Sequence, residues 1–395
     1  MCEPVRVERE RRSPVPGVSR NVFLLGIVSL CNDISSEMLY PLIPLFLTKT
    51  LGAPVSAVGV IEGAAEMTAS ILKGFSGWWS DRVGRRLPFV IGGYGLSAIS
   101  KPLLALARSW PMVLVARVSD RFGKGMRGTA RDAIIVESTA DETRGRAFGF
   151  HRSADQTGAV VGPLLALPLL SLFHHDYRGL FLAAFVPGAL AVALLFLVRE
   201  TGRAVATPAA PAPEFKWRET PPKFRIYLLV TALFAIGNSS DVFLILRAKQ
   251  VGFPDTEVFL LYAFFNLIVV LSAFPAGLLS DRVGRKQILV VGFLLFSAVY
   301  AGFGFVTQLW TVWLLYAAYG LFTGMTEGVA RAYAVDLAGP EHRGTALGLH
   351  SLAIGLTTFI ASAVAGLLWS HFGPPAPFLY GAATALLAGI ALMFV

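Results

Sequence analysis

Apolar residues are gathered along the chain in runs of about 20, the length that an α-helix needs to cross the hydrocarbon core of a bilayer. The runs do not alternate as half-buried strands do, and a helix satisfies its own backbone hydrogen bonds, which lipid cannot do. We therefore predict an all-α membrane protein with twelve transmembrane helices, numbered α1 to α12. Their predicted ranges are 21–47, 55–79, 87–107, 111–136, 146–172 and 178–198 for α1 to α6, and 224–247, 255–279, 287–306, 309–336, 344–370 and 376–395 for α7 to α12.

The predicted helices fall into two groups of six. A segment rich in Pro and Ala, residues 199–223, separates a first bundle at 21–198 from a second at 224–395. Its composition is typical of a flexible linker. Residues 1–20 are polar and Arg-rich and show no clear cleavage site, so they are interpreted as a cytoplasmic tail. Composition supports this division, since 55% of the 395 residues are hydrophobic and 15% are charged.

An internal repeat relates the two groups. The segment GWWSDRVGRR at 77–86 recurs as GLLSDRVGRK at 277–286, and RGRAFGFH at 144–151 recurs as RGTALGLH at 343–350. The first shift is 200 residues and the second is 199. Because each half holds an even number of helices, such a repeat indicates two parallel bundles around an axis along the membrane normal, with a central cavity between them.

The basic residues lie in alternate short loops, which explains the sequence pI of about 9.7 without any nucleic-acid partner. By the positive-inside rule, this pattern predicts that both termini are cytoplasmic and that the chain is a multi-pass protein of the cell inner membrane. Cys2 and Cys31 give neither a disulfide framework nor metal-ligand spacing. We predict no cofactor and no metal, and a monomer whose partners are the bilayer, a small-molecule substrate and protons.

The two repeated loops resemble the signature GxLxDRxGRK of the major facilitator superfamily, which occurs between α2 and α3 and again between α8 and α9. The second copy fits throughout, whereas the first has Trp79 where Leu is usual. YPLIP at 40–44 and GAVVGPLLA at 158–166 resemble α1 and α5 motifs of drug/proton antiporters, with Ala166 replacing the last Gly. RETGR at 199–203 resembles the PESxR that follows α6, without its Pro. The resemblance implies two pseudo-symmetric six-helix bundles and antiport.

In that family the loop acts as a cytoplasmic gate. The resemblance places the Asp81 carboxylate against the start of α11 near Gly344, and Asp281 against the start of α5 near Gly145. It also pairs a loop Arg with an acid at the end of α4 or α10. The alternative is that these charges hold tight turns and set topology. The predicted gate residues are Gly77, Asp81, Arg82, Gly84, Arg85, Glu137, Gly277, Asp281, Arg282, Gly284, Arg285 and Asp336.

Many ionisable residues lie at membrane depth in the first half. Each costs at least about 2.5 kcal/mol near the bilayer centre, so they must face protein or a wet cavity. Asp33 and Glu37 are four residues apart on one helical face, so we predict proton coupling by Asp33, then by Glu37 and Glu66. A buried salt-bridge lattice is the alternative reading of these charges. The predicted charge partners and cavity residues are Arg117, Arg121, Lys124, Lys101, Asp155, Asn238, Asp241, Asn266 and Glu327.

These features predict a secondary active transporter that works by alternating access, with proton-coupled efflux of a small organic molecule or drug. No phosphate-binding loop or catalytic motif is evident in the sequence, so an enzyme is not expected. One alternative is a transporter for uptake or export of an organic anion, metabolite or iron chelate, which the bases of α4 would bind. Another class of alternative is a non-transporting membrane sensor, for which the duplicated loops would have little use.

Overall fold

The computed structural model describes residues 14–83, 85–140, 143–200, 221–339 and 343–395, in which all regular structure is helical. Ten of the twelve predicted helices are continuous and begin and end within a few residues of their predicted bounds. The observed bounds are Arg20–Glu37, Leu42–Leu45 and a π-helical Phe46–Thr50 for α1; Val55–Val83 for α2; Leu87–Leu106 for α3; Trp110–Glu137 for α4; Arg144–Leu172 for α5; Tyr177–Leu195 for α6; Pro222–Ala235 and Val242–Val251 for α7; Asp255–Val283 for α8; Arg285–Phe305 for α9; Leu309–Ala338 for α10; Arg343–Phe372 for α11; and Pro375–Leu392 for α12.

Two helices are broken, at equivalent places in the two halves. Turns interrupt α1 at 38–41 and α7 at 236–241, so each of these predicted spans consists of helical pieces separated by a turn. In α1, Pro41 has no backbone N–H to continue the helical ladder. In α7, a Cβ on Gly237 would lie 1.7 Å from the Thr384 hydroxyl, so α12 approaches the backbone closely there. The breaks bring polar side chains and free backbone groups to the centre of each half.

Nine helices of the described residues are long and apolar enough to cross a membrane. The three that fall short are α4, α7 and α10. Charged residues crowd α4, the break shortens both pieces of α7, and α10 mixes Thr and Gly with Glu327 and Arg331. The paired charges of α4 face neighbouring helices, and Glu327 and Arg331 of α10 line a cavity, and polar groups are tolerated at both kinds of place in a membrane protein.

The most extensive contacts between the halves are those of α2 with α11 and of α5 with α8. The first pair is in close contact, since a Cβ on Gly59 would lie 2.1 Å from the Ser362 carbonyl oxygen. Within the first half, α5 packs on α1 through the glycines of its GxxxG motif. A Cβ on Gly158 would lie 3.0 Å from the Leu30 carbonyl oxygen, and one on Gly162 would lie 2.9 Å from that of Ile34. Small residues at these contacts let the helix backbones approach.

Candidate functional site

A buried ion lattice holds α2, α3 and α4 together in the first half. Arg117 binds Glu62 through two hydrogen bonds of 2.8 and 2.6 Å, and its side chain is 5% exposed against 1% for that of Glu62. Lys101 donates to Asp120 at 2.8 Å, and Asp120 also lies 3.8 Å from Arg117. Buried ions are tolerated when they are paired in this way. Arg117 and Lys101, predicted near the cavity, therefore lie inside the helix packing.

The lattice continues to Glu66, where it reaches more open space. Arg121 lies 3.0 Å from a Glu66 carboxylate oxygen. The Arg121 side chain is 9% exposed, whereas that of Glu66 is 39% exposed. A carboxylate with one face on a buried cation and the other on open space can exchange a proton with water without leaving its partner. Glu66 thus occupies the boundary between the lattice and the interior space of the protein.

Asp33 has a different environment, with no ion pair among the described residues. The Asn32 side chain donates to it at 3.2 Å. Its charged neighbours are the acids Asp155 and Glu37 and the bases Lys124 and Arg127. Asp155 itself lies 3.6 Å from the His151 ring and has one carboxylate oxygen that is buried without a hydrogen-bond partner. Mutual repulsion between neighbouring carboxylates is relieved when one of them binds a proton.

Tyrosines connect the predicted site residues of the two halves. The Tyr262 hydroxyl of α8 donates to Glu37 of α1 at 2.8 Å, and its ring stacks on Tyr40 at 5.1 Å between centroids. The Tyr40 and Ser240 hydroxyl oxygens are 3.4 Å apart. Glu37 is therefore tied to the opposite bundle. Sequence reasoning missed Tyr262, although it occupies the repeat position of Glu62 under the 200-residue shift.

The predicted polar residues of the second half lie near the break in α7. The Tyr319 hydroxyl donates to Asp241 at 2.6 Å, and Asn266 donates to the Tyr262 carbonyl oxygen at 3.0 Å. Asn238 lies within the break itself. Asp241 therefore lies beside Tyr319, and Asn266 lies one helical turn from Tyr262.

A cavity of about 1100 Å³ opens between the halves on the side of the repeated loops. It is lined by α5, α8, the start of α9, and α10. Glu327 of α10 lies 3.1 Å from Arg331 on the same helix and 3.6 Å from Arg152 of α5 in the other half. The cavity also includes Asp281 and Arg285 of the predicted gate. Arg152 and Arg331 were not among the predicted site residues.

The opposite side of the protein is closed around Asp255, the first residue of α8. Lys49 from the end of α1 and Lys249 from the end of α7 each lie 2.6 Å from the same Asp255 oxygen. The Tyr177 hydroxyl of α6 donates to the other Asp255 oxygen at 2.5 Å. The two lysines are equivalent under the 200-residue repeat. One carboxylate therefore links both halves on this side.

The predicted gate loops are partly formed. Arg285 pairs with Asp336, as the resemblance implies, and also lies 3.7 Å from Asp281. In the first half it is Arg86, one position beyond the predicted Arg85, that pairs with Glu137 at 2.5 Å. Both pairs stay within one bundle.

The contacts that were expected between the bundles differ. A Cβ on Gly145 would meet no atom within 4 Å, so Asp281 does not pack on that glycine in this open conformation. Gly284 has a φ of +106°, which favours glycine at the start of α9. Arg82 and Arg282 are exposed. Gly84 and the side-chain surroundings of Gly77 and Asp81 lie outside the described residues.

Comparison with known proteins agrees with this architecture. The family model described as Major Facilitator Superfamily matches residues 25–255 and 227–395. The chain belongs to the major facilitator superfamily. Among superfamily relatives, it is 35% identical over 386 residues to an uncharacterised MFS-type transporter of Methanocaldococcus jannaschii, covering 96% of this chain and 95% of the relative. It is 25% identical over 347 residues to multidrug resistance protein MdtH of Aeromonas hydrophila, covering 85% and 84%.

Solved structures of superfamily transporters share the fold. A nucleoside transporter superposes with a TM-score of 0.79 at 12% identity, covering 95% of this chain and 99% of that one. A D-xylose–proton symporter gives a TM-score of 0.78 at 18% identity, covering 94% and 96%. The fold is that of a two-bundle superfamily transporter, and the chain is a multi-pass membrane protein that moves a small-molecule substrate.

Proposed function

We propose that this superfamily transporter couples proton movement to the efflux of a small organic molecule by alternating access. The proposal rests on the difference between the two ends of the protein. One end is closed around Asp255, and the other is open at the cavity beside the repeated loops. A protein that exposes its centre to one side at a time needs this pair of features. The similarity to MdtH, whose name describes multidrug resistance, favours efflux.

Proton coupling is assigned first to Asp33, because it lies between carboxylates and bases without a fixed ion pair in the described part of the chain. Asp33 sits where α5 packs on α1, since a Cβ on Gly158 would lie 2.8 Å from its Cβ. Glu37 is hydrogen-bonded across the halves, and Glu66 lies at the edge of the lattice. Rocking of the bundles changes what these acids face, and so changes the proton affinity of the set.

The orientation follows from the same proposal. The open cavity faces the side of the basic loops, which the positive-inside rule assigns to the cytoplasm. Both termini would then be cytoplasmic, in the cell inner membrane, and a monomer would suffice because the cavity lies within one chain. The gate roles of the DRVGR loops and the linker role of 199–223 belong to this proposal as well.

The test is flux in liposomes that contain purified protein and an internal pH dye, with a panel of candidate substrates. Asp33→Asn should abolish substrate flux driven by a pH gradient, because the residue can no longer gain or lose a proton. Substrate counterflow without a gradient should persist. Glu257→Gln is a matched control, since Glu257 in the first turn of α8 forms no ion pair with the described residues.

Unchanged pH-driven flux in Asp33→Asn would remove Asp33 from the coupling role. Absence of counterflow for every candidate in the unaltered protein would favour the sensor over the transporter.

A further inference from the structure

Several cations near the cavity lack a partner. Lys73 of α2 and Lys124 of α4 are exposed and form no ion pair within the described ranges. The charged neighbours of Lys73 are mostly bases, Lys124, Arg331 and Arg131, with Glu66 as the neighbouring acid. Exposed lysines that repel each other at membrane depth must face water or a ligand, because lipid would not accept them.

The two lysines are close to two arginines that line the cavity. Arg331 of the second half is an electrostatic neighbour of Lys73, and it shares Glu327 with Arg152 of the first half. The side chains of Arg152 and Arg331 are 58% and 54% exposed. Arg152 and Arg331 thus line the cavity and share one carboxylate, and the two unpaired lysines are next to them, with Arg331 as a charged neighbour of Lys73.

The acids nearby do not balance this charge. Glu66 is paired with Arg121, Glu327 already serves two arginines, and Asp33, a charged neighbour of Lys124, also has Arg127 as a neighbouring base. Asp281 and Arg285 lie at the outer end, where Asp336 adds a further acid. The inner end thus keeps an excess of positive charge, which attracts an anion and disfavours a cation.

Most of the remaining cavity wall is apolar, with a few uncharged polar side chains such as Gln156 and Thr323. Val160 and Val161 of α5 face Val269, Val270 and Ala273 of α8 across it. A ligand that fills the space would place an apolar body against these side chains and an acidic group at the cationic end. Pockets that combine apolar walls with a few polar groups orient their ligands in this way.

We propose that the transported molecule is an amphipathic organic anion whose acidic group binds between Lys73, Lys124 and the Arg152–Arg331 pair. This rests on the proposed transport function and names its substrate class. It also changes the site expected from the sequence. Of the α4 bases that the sequence offered to an anion, Arg117 and Arg121 are already neutralised by Glu62 and Glu66, whereas Lys124 is not paired within the described residues.

Binding to the purified full-length protein tests the proposal separately from transport. Naphthoate, naphthylmethylammonium and naphthylmethanol share one ring system and differ in charge, and calorimetric titration at low ionic strength measures the affinity of each. We expect naphthoate to bind most tightly. Lys73→Gln and Lys124→Gln should each weaken naphthoate binding about tenfold by removing one charged contact, and should leave naphthylmethanol binding unchanged.

Lys223→Gln is the matched control, because Lys223 is exposed at the start of α7, away from the cavity. It should leave naphthoate binding unchanged. Thermal unfolding checks that the lysine variants are folded, and removal of mutually repelling charges should not lower their melting temperature.

The proposal is overturned if naphthylmethylammonium binds as tightly as naphthoate, if neither naphthoate nor naphthalenesulfonate binds, or if both lysine variants retain full affinity for the anion. Charge-selective binding together with normal pH-driven flux in Asp33→Asn would remove Asp33 from the coupling role and leave the substrate class standing. Binding that does not depend on charge, together with loss of pH-driven flux in Asp33→Asn, would refute the substrate class alone.

Discussion

At the scale of single residues, Glu62 and Arg117 show how charge is accommodated at membrane depth. Two hydrogen bonds join the carboxylate to the guanidinium, and both side chains are almost fully buried. The geometry matters because desolvation of each ion is costly and is offset only by a close partner. The lattice therefore allows the charged helix α4 to pack between α2 and α3.

Removing one member of this pair should be far more damaging than removing both. Glu62→Gln leaves a buried Arg117 without its main counter-ion, and we expect a loss of about 3 to 5 kcal/mol in the free energy of unfolding. The double variant Glu62→Gln/Arg117→Met should recover much of that loss. Thermal unfolding in detergent of both single variants and the double variant measures the coupling. Additive effects would contradict the pairing.

The identity of these ions could be predicted from the sequence, but their partners could not. Helical spacing places Glu62 and Glu66 on one face of α2 and Arg117 and Arg121 on one face of α4. Which acid meets which base depends on the rotation and depth of each helix in the bundle, and periodicity does not determine these. The lack of a counter-ion for Lys73 within the described residues likewise emerges only when the helices are assembled.

At the scale of elements, two arginines cap the C-terminal ends of helices that end at equivalent places in the two halves. Arg247 of α7 donates to the carbonyl oxygens of Phe303, Gly304 and Val306 at the end of α9, at 2.8 to 3.2 Å. Arg178 of α6 donates to those of Ala105 and Ala107 at the end of α3. The last carbonyls of a helix have no partner within it, so these guanidinium groups satisfy them.

The Arg247 contacts predict a specific loss of stability. Arg247→Gln cannot reach three carbonyl oxygens with a fork of donors, so we expect the free energy of unfolding to fall by about 2 to 3 kcal/mol. Arg225→Gln is the comparison, since Arg225 has no partner within the described residues. Thermal unfolding of both variants measures the two losses of stability. Equal melting temperatures would show that water replaces the hydrogen bonds from Arg247 to the end of α9.

Helix bounds were predictable because the length of each apolar run is set by bilayer thickness. The breaks in α1 and α7 were not, since apolar residues continue on both sides of each break and keep the run long. Pro41 and Pro44 are signals in α1, but prolines also occur inside the continuous helices α5 and α6. Close approach of α12 at Gly237 is a tertiary effect that a single segment does not reveal.

At the scale of the whole molecule, the repeat preserves the backbone and changes the chemistry. The ions of the first half correspond to uncharged residues in the second, where aromatic rings fill the space and Phe296 stacks on Tyr300 at 3.9 Å. Among the described residues, the buried ion pairs at membrane depth therefore lie in the first half. Under shifts of 199 or 200, Glu62, Glu66, Lys101, Arg117 and Asp120 correspond to Tyr262, Asn266, Tyr300, Tyr316 and Tyr319.

The closed end should open when its shared carboxylate is removed. Asp255→Asn leaves Lys49 and Lys249 facing each other without a counter-ion, which favours separation of the halves on that side. Spin labels at Arg108→Cys and Gln308→Cys, with Cys2 and Cys31 replaced by Ser, report the distance between the bundles by electron paramagnetic resonance. We expect longer separations in Asp255→Asn and no change in Glu257→Gln.

If the label distances in Asp255→Asn matched those of the unaltered protein, the Asp255 cluster would be a surface contact without control over the conformation. The repeat equivalence of Lys49 and Lys249 was visible in the sequence. Their convergence on Asp255 was not, because the position that corresponds to Asp255 in the first half is the apolar Val55.

The Asp255 cluster differs from the ion lattice in its contact with the surrounding medium. The Lys49 side chain is 46% exposed, whereas the Glu62–Arg117 pair of the lattice is sealed among helices. Dissolved salt weakens interactions between exposed charges, with a screening length of roughly 10 Å, and weakens those between buried charges much less. The ionic strength outside the membrane would therefore set how often the closed end opens, while the internal charges that stabilise the first bundle would be indifferent to it.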